Sequence, residues 1–207
     1  GDQTYTGNTT ISADITLTGG AQLTFTGTVN SSSTDSASDT DNLSIVFTET
    51  EFDGIVGGTY GLGAISITGA LDLDANITNA ASLSVSTTSN LGASVTTSGT
   101  QQYDGVTTLS TNVTLTTTDS NATFGSTIDS DHDSTKRDLT LTLGSGSASV
   151  TGIVGATSLD VLTLNSNSSF TAAVTATSIV NASTTATFSD NVTATITNSG
   201  TLLFNAT

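Results

Sequence analysis

Apolar and polar residues alternate with a period of two along most of this chain. Thr10-Ile11-Ser12-Ala13-Asp14-Ile15-Thr16-Leu17-Thr18 sets Ile11, Ala13, Ile15 and Leu17 on one side and polar side chains on the other. The pattern returns in Leu23 to Val29, Leu43 to Phe47, Ala64 to Ile67, Leu71 to Leu73 and Leu83 to Val85. It continues in Leu109 to Leu115, Leu139 to Leu143 and Val161 to Leu164. Short β-branched-rich runs with this period are the signature of half-buried strands. No i, i+3, i+4, i+7 stripe persists for ten residues, and Gly-Gly, Asn-Ser, Thr-Gly and Asp-Ser clusters punctuate the runs as turns. The fold class predicted is all-β.

Self-comparison adds a long period. Asp2-Gln3-Thr4-Tyr5-Thr6-Gly7 resembles Thr100-Gln101-Gln102-Tyr103-Asp104-Gly105, and Phe25-Thr26-Gly27-Thr28-Val29 pairs with Phe124-Gly125-Ser126-Thr127-Ile128. Gly54-Ile55-Val56-Gly57 pairs with Gly152-Ile153-Val154-Gly155. The offset of about 98 residues divides the chain into unit 1 (1–98), unit 2 (99–199) and the start of a third (200–207). Within a unit, an aromatic followed two residues later by a small residue recurs, as in Tyr5-x-Gly7, Phe25-x-Gly27, Phe52-x-Gly54 and Phe170-x-Ala172. The steps from Tyr5 to Phe25 and from Tyr103 to Phe124 predict coils of roughly 20 residues, about five per unit. Such a coil cannot bury its apolar side alone, so coils stack with their aromatics in ladders. This is one continuous parallel β-solenoid, about ten coils and on the order of 50 Å long at ~4.8 Å per layer. Tandem β-sandwiches are the alternative that units of this size allow. They call for hairpin signals and an inter-unit linker, and the sequence shows neither.

The strings SGTQQYDG (98–105), VTTLSTNVTLT (106–116), TFGSTIDSD (123–131), KRDLTLTLGSGSASVTG (136–152) and IVGATSLDVLTLN (153–165) resemble the tandem β-strand repeats of giant bacterial surface adhesins of the filamentous-haemagglutinin type. The first copy carries GDQTYTG, TFTGTVNS and GIVGGTYGLGAISITG in the same order. The resemblance covers nearly the whole chain. It implies a right-handed β-helix, secreted or attached to a cell surface, that works as a stalk, adhesin or filament.

Composition narrows the function. Of 207 residues, 47 are Thr and 30 Ser, while Pro, Cys, Met and Trp are absent. Two basic residues, Lys136 and Arg137, face 18 acidic ones, for a net charge of -16. Two adjacent cations build no basic groove, so nucleic acid is excluded as a partner. No apolar run approaches the ~20 residues of a membrane span, and no polybasic anchor is present. Without Cys there is no disulfide framework, zinc knuckle or thiol nucleophile. A chain that opens on Gly1 and lacks Met reads as a processed or excised product.

The densest cluster of functional groups is the loop from Asp129 to Asp138. Asp129, Asp131 and Asp133 at spacing two are the calcium candidates, because alternate carboxylates can converge on a hard cation. The Gly and Glu of an EF-hand loop are missing, and the first copy's Asp35, Asp39 and Asp41 keep acids without the spacing. A solvated turn is the plain reading. His132 between Asp131 and Asp133 reads as an exposed loop residue, since a triad also needs a placed nucleophile and an oxyanion hole. The pairs Asp72/Asp74 and Glu49/Glu51 share a strand face as the carboxylates of a glycosidase or a polysaccharide lyase would, but read as surface solubilisation. The threonine row Thr114, Thr116 and Thr118 resembles the arrays of ice-binding solenoids, while ordinary β-propensity explains it as well. Sequons at Asn8, Asn30, Asn42, Asn76, Asn112 and Asn121 follow from alternation in an Asn/Thr-rich chain. The expectation is a non-enzymatic, extracellular structural or adhesive module without cofactors, its partners being further copies of itself and surface glycans. The alternative is a carbohydrate- or ice-binding module.

Overall fold

The computed structural model describes residues 1–32, 41–182 and 185–205. Asp35 and Asp39 of the first acidic loop lie outside the described residues. The described residues form 23 strands and no helix. Every pairing between strands is parallel. The chain is a β-solenoid of about ten coils. Parallel pairing throughout rules out the tandem sandwiches, which are antiparallel.

Each coil contributes three strand segments, and these stack into three columns. In column I, Tyr5, Phe25, Phe52, Leu73, Leu91 and Leu109 lie in register. In column II the inward residues run Val29, Val56, Ile77, Val95, Leu115, Leu141, Leu164, Asn181 and Asn198. In column III, Leu17, Ile45, Ile67, Val85, Tyr103, Phe124, Val150, Phe170, Phe188 and Phe204 succeed one another, one per coil. The alternation read from sequence is therefore the inside and outside of this tube. Phe25, Phe52, Tyr103, Phe124, Phe170 and Phe188 are among its largest fully buried side chains.

Like stacks on like along the axis. Tyr5, Phe25 and Phe52 stack face to face at 5.1 and 5.3 Å between centroids. Tyr103 stacks on Phe124 at 5.1 Å, and Phe170, Phe188 and Phe204 follow at 5.1 and 5.6 Å. Each such pair contributes ~0.5–1.5 kcal/mol beyond the area it buries. The small residue two positions after the aromatic marks the corner where successive coils touch backbone to backbone. A Cβ on Gly27 would lie 2.6 Å from the Gly7 carbonyl oxygen, and one on Gly54 only 2.1 Å from that of Gly27.

The two copies of Gly-Ile-Val-Gly end in the same left-handed turn, with φ of 71° at Gly57 and 75° at Gly155. The units nevertheless do not superpose column on column. Tyr5 and Phe25 stand in column I, whereas their counterparts Tyr103 and Phe124 stand in column III. Leu17 of column III likewise corresponds to Leu115 of column II. One repeat thus spans four coils and two further strands, so the second copy is turned by one column relative to the first.

Asparagine and aspartate side chains close the corners. The Oδ1 atoms of Asn8, Asn42, Asn76, Asn112 and Asn121 accept the backbone N–H of Thr28, Ala64, Ser94, Asp138 and Ser147 at 2.7–3.2 Å, each donor lying one coil further on. Asn30 Oδ1 takes the N–H groups of Thr59 and Tyr60. A corner breaks the backbone ladder, and these amides satisfy the donors left over. All six sequon asparagines named from the sequence do this work.

Candidate functional site

The structure separates the calcium candidates. Asp129 lies in a column I strand and accepts the N–H of Thr157 at 3.0 Å. Asp131 receives Nε and Nη2 of Arg137 at 2.7 and 2.9 Å in a bidentate ion pair. That hydrogen-bonded guanidinium holds the Asp131 carboxyl below the usual carboxylate range. Asp133 and His132 are exposed in the same loop. Asp41 of the first loop is buried and accepts the Ser31 hydroxyl at 2.9 Å.

Carboxylates converge elsewhere. Among the described residues, Glu51, Asp53 and Asp74 are the group whose ligand atoms all lie within 4.8 Å of one another. Two consecutive coils build it: Glu51 pairs with Asp72 and Phe52 with Leu73, which carries Asp53 and Asp74 onto neighbouring layers of one corner. Glu51 Oε2 accepts from Gln22 Nε2 and Thr24 Oγ1, both at 3.0 Å, and Asp72 accepts from Asn90 Nδ2 at 2.8 Å. Partial burial, then the charges of Asp72 and Asp53, push the Asp74 carboxyl above its ordinary value. Three such oxygens suit a hard divalent cation, with water completing the shell. Asp72 and Asp74, read from sequence as solubilising, both belong to this edge; Glu49 does not.

Charge is unevenly distributed. The outward position of column III runs Thr16, Ser44, Ser66, Ser84, Gln102, Thr123, Ser149, Ser169, Thr187 and Leu203, without a charge over ten coils. The outward position of column I carries Glu51, Asp72 and Asp129. On column II, Thr114, Thr140 and Thr163 stack beside Thr96, Thr116 and Thr142. The coils vary in length, but the surplus residues sit in corners, so these threonines keep register. Thr118 lies past the strand's end.

Both ends of the described tube are open. At the first coil, Tyr5 and Ile15 are 36 % and 39 % exposed. They rim an apolar hollow of about 250 Å³ with Ile11, Leu17 and Phe25. At the last coil, Leu203 and Phe204 are 45 % and 55 % exposed.

Compared with family models, curated proteins and solved structures, the chain matches none.

Proposed function

We propose that this chain is a non-enzymatic, extracellular structural or adhesive module, a stiff rod of stacked coils that associates with further copies end to end. The observation that carries this reading is the parallel stacking of about ten coils into one tube among the described residues. A parallel stack of this kind grows by strand-edge pairing, and the edge of a coil is a template for another. Backbone ladders and side-chain stacks run its whole length, which makes the rod resist bending. The resemblance of its repeats to those of filamentous-haemagglutinin-type surface adhesins supports the same role and a secreted or cell-surface location. Two cleavable basic residues in 207 suit life among trypsin-like proteases. Light scattering on the purified chain over a wide concentration range tests the reading. Growth in mass with concentration is expected; a strictly monomeric particle at the highest concentration removes the end-to-end role and leaves a stalk.

A second reading, a module that binds ice or a regular glycan surface, draws on one observation: the two adjacent threonine stacks of column II. Parallel stacking spaces these hydroxyls at ~4.8 Å. Ice recrystallisation assays, silent for a structural or adhesive rod, and glycan-array binding that is lost when Thr116 and Thr142 are replaced separate the two.

A further inference from the structure

The two basic residues of the sequence stand side by side in one loop, and the fold treats the peptide bonds after them differently. We propose that the Lys136–Arg137 bond is a site of limited proteolysis for an endopeptidase of trypsin-like specificity, and that the nicked chain stays assembled as a two-chain rod.

Accessibility singles out this loop. Between Ser130 in column I and Leu139 in column II the chain leaves the coil, and residues 131–136 are all exposed. Among the described residues, no backbone–backbone hydrogen bond holds residues 132–136. All five of those side chains are polar, and exposed polar loops are where nicking concentrates. Lys136 Nζ donates to Thr177 Oγ1 at 3.2 Å, an exposed contact that a competing carboxylate can replace. In the first copy Thr40 and Asp41 stand where the second has Lys136 and Arg137, so the cations mark this loop and not its counterpart.

Protection begins one bond later. Asp131 clamps the Arg137 guanidinium through Nε and Nη2 at 2.7 and 2.9 Å, which keeps it out of a cation-seeking specificity pocket. The Arg137 carbonyl accepts the Asp160 N–H at 2.9 Å, and the Asp138 N–H donates to Asn112 Oδ1 at 3.0 Å. The Arg137–Asp138 bond is thus fixed on both sides, and cutting it requires the coil to open locally first. The Lys136–Arg137 bond is held from its nitrogen alone, by Ser130 Oγ at 3.0 Å. Hydrolysis there adds water across the amide. The C–N bond breaks, hydroxyl goes to the Lys136 carbonyl carbon and a proton to the Arg137 nitrogen, leaving a carboxylate and an amine.

Cohesion survives the cut because it runs from coil to coil rather than along the chain. Residues on the two sides of the nick pair in all three columns: Val113 to Thr116 with Leu139 to Thr142, Ala122 to Phe124 with Ala148 to Val150, and Ile128 with Val154. Phe124, Ile128, Leu139, Leu141 and Val150 are buried there. The two pieces share a whole cross-section of the tube, and the nick removes one corner connection from it.

Trypsin itself is the probe, and the sequence offers it no basic residue outside this loop. Brief digestion of the native chain is expected to give two fragments, one ending at Lys136 and one beginning at Arg137 by mass and terminal sequencing. They are expected to co-elute as the uncut chain does and to separate only in denaturant. Lys136→Ala is expected to stay in one piece under conditions that nick the wild type completely, while Arg137→Ala is still cut. Both side chains lie outside the core, so circular dichroism of the two variants should match the wild type. A wild-type chain that resists digestion overturns the site. Cleavage of Lys136→Ala after Arg137 at the wild-type rate overturns the choice of bond. Fragments that part without denaturant overturn the two-chain rod. Each of these readouts is independent of whether copies associate end to end.

Discussion

Asn121 shows how much of this molecule turns on single hydrogen bonds at corners. Its Oδ1 takes the Ser147 N–H at 2.9 Å, one coil further on. Asn121→Ala is expected to cost about 1 kcal/mol in chemical denaturation, and Asn121→Asp, which keeps the acceptor, much less. Acids in equivalent places make stability depend on pH. Asp14 and Asp119 are held below the ordinary carboxylate range chiefly by the backbone N–H groups of Asn42 and Ser145, and Asp131 by Arg137. A lowered carboxyl stabilises the fold fully above its unfolded value of ~3.9 and loses that contribution as pH falls through its folded value. Asp74, raised by burial and by its acidic neighbours, acts the opposite way and is relieved by protonation. Melting temperature should therefore be level near neutrality and fall below about pH 4, with a shallower acid limb in Asp131→Asn. The spacing-two acids were legible in the sequence, but their partners were not. Arg137 folds back from six residues on, and Thr157 arrives from the next coil.

At the scale of the element, the strand is read from alternation and the coil from the aromatic-to-small spacing. Both survive in the structure because inward side chains must pack and corners must touch. Gly54 carries the corner constraint most sharply, since any Cβ there collides with the Gly27 carbonyl. Gly54→Ala is expected to destabilise by ~1–3 kcal/mol, seen as a lower denaturation midpoint, because two stacked backbones must separate. What alignment by residue number could not supply was the column. A fixed offset pairs Tyr5 with Tyr103, yet corners absorb different numbers of residues and the repeat ends one strand short of a whole coil. The same difficulty hid the edge formed by Glu51, Asp53 and Asp74. Asp74 reaches it from 21 residues downstream of Asp53, a proximity visible only once the coil step there is known.

Taken as a whole, the molecule combines parallel ladders along its axis with a net charge of -16, which opposes the close approach of two copies. The charge gathers beside column I and at corners, leaving the outer row of column III neutral along the tube. On the end-to-end reading, association between two such polyanions should strengthen with salt, because screening removes the repulsion while apolar contact remains. It should strengthen again as pH approaches the pI of about 4.1. Salt-weakened association would point to an ionic joint instead. The most direct test of the rod and its end-to-end growth is small-angle X-ray scattering across a concentration series at moderate salt. A cross-sectional radius that stays constant while the particle lengthens is the predicted result. A particle of fixed length, or one that thickens as it grows, would contradict it.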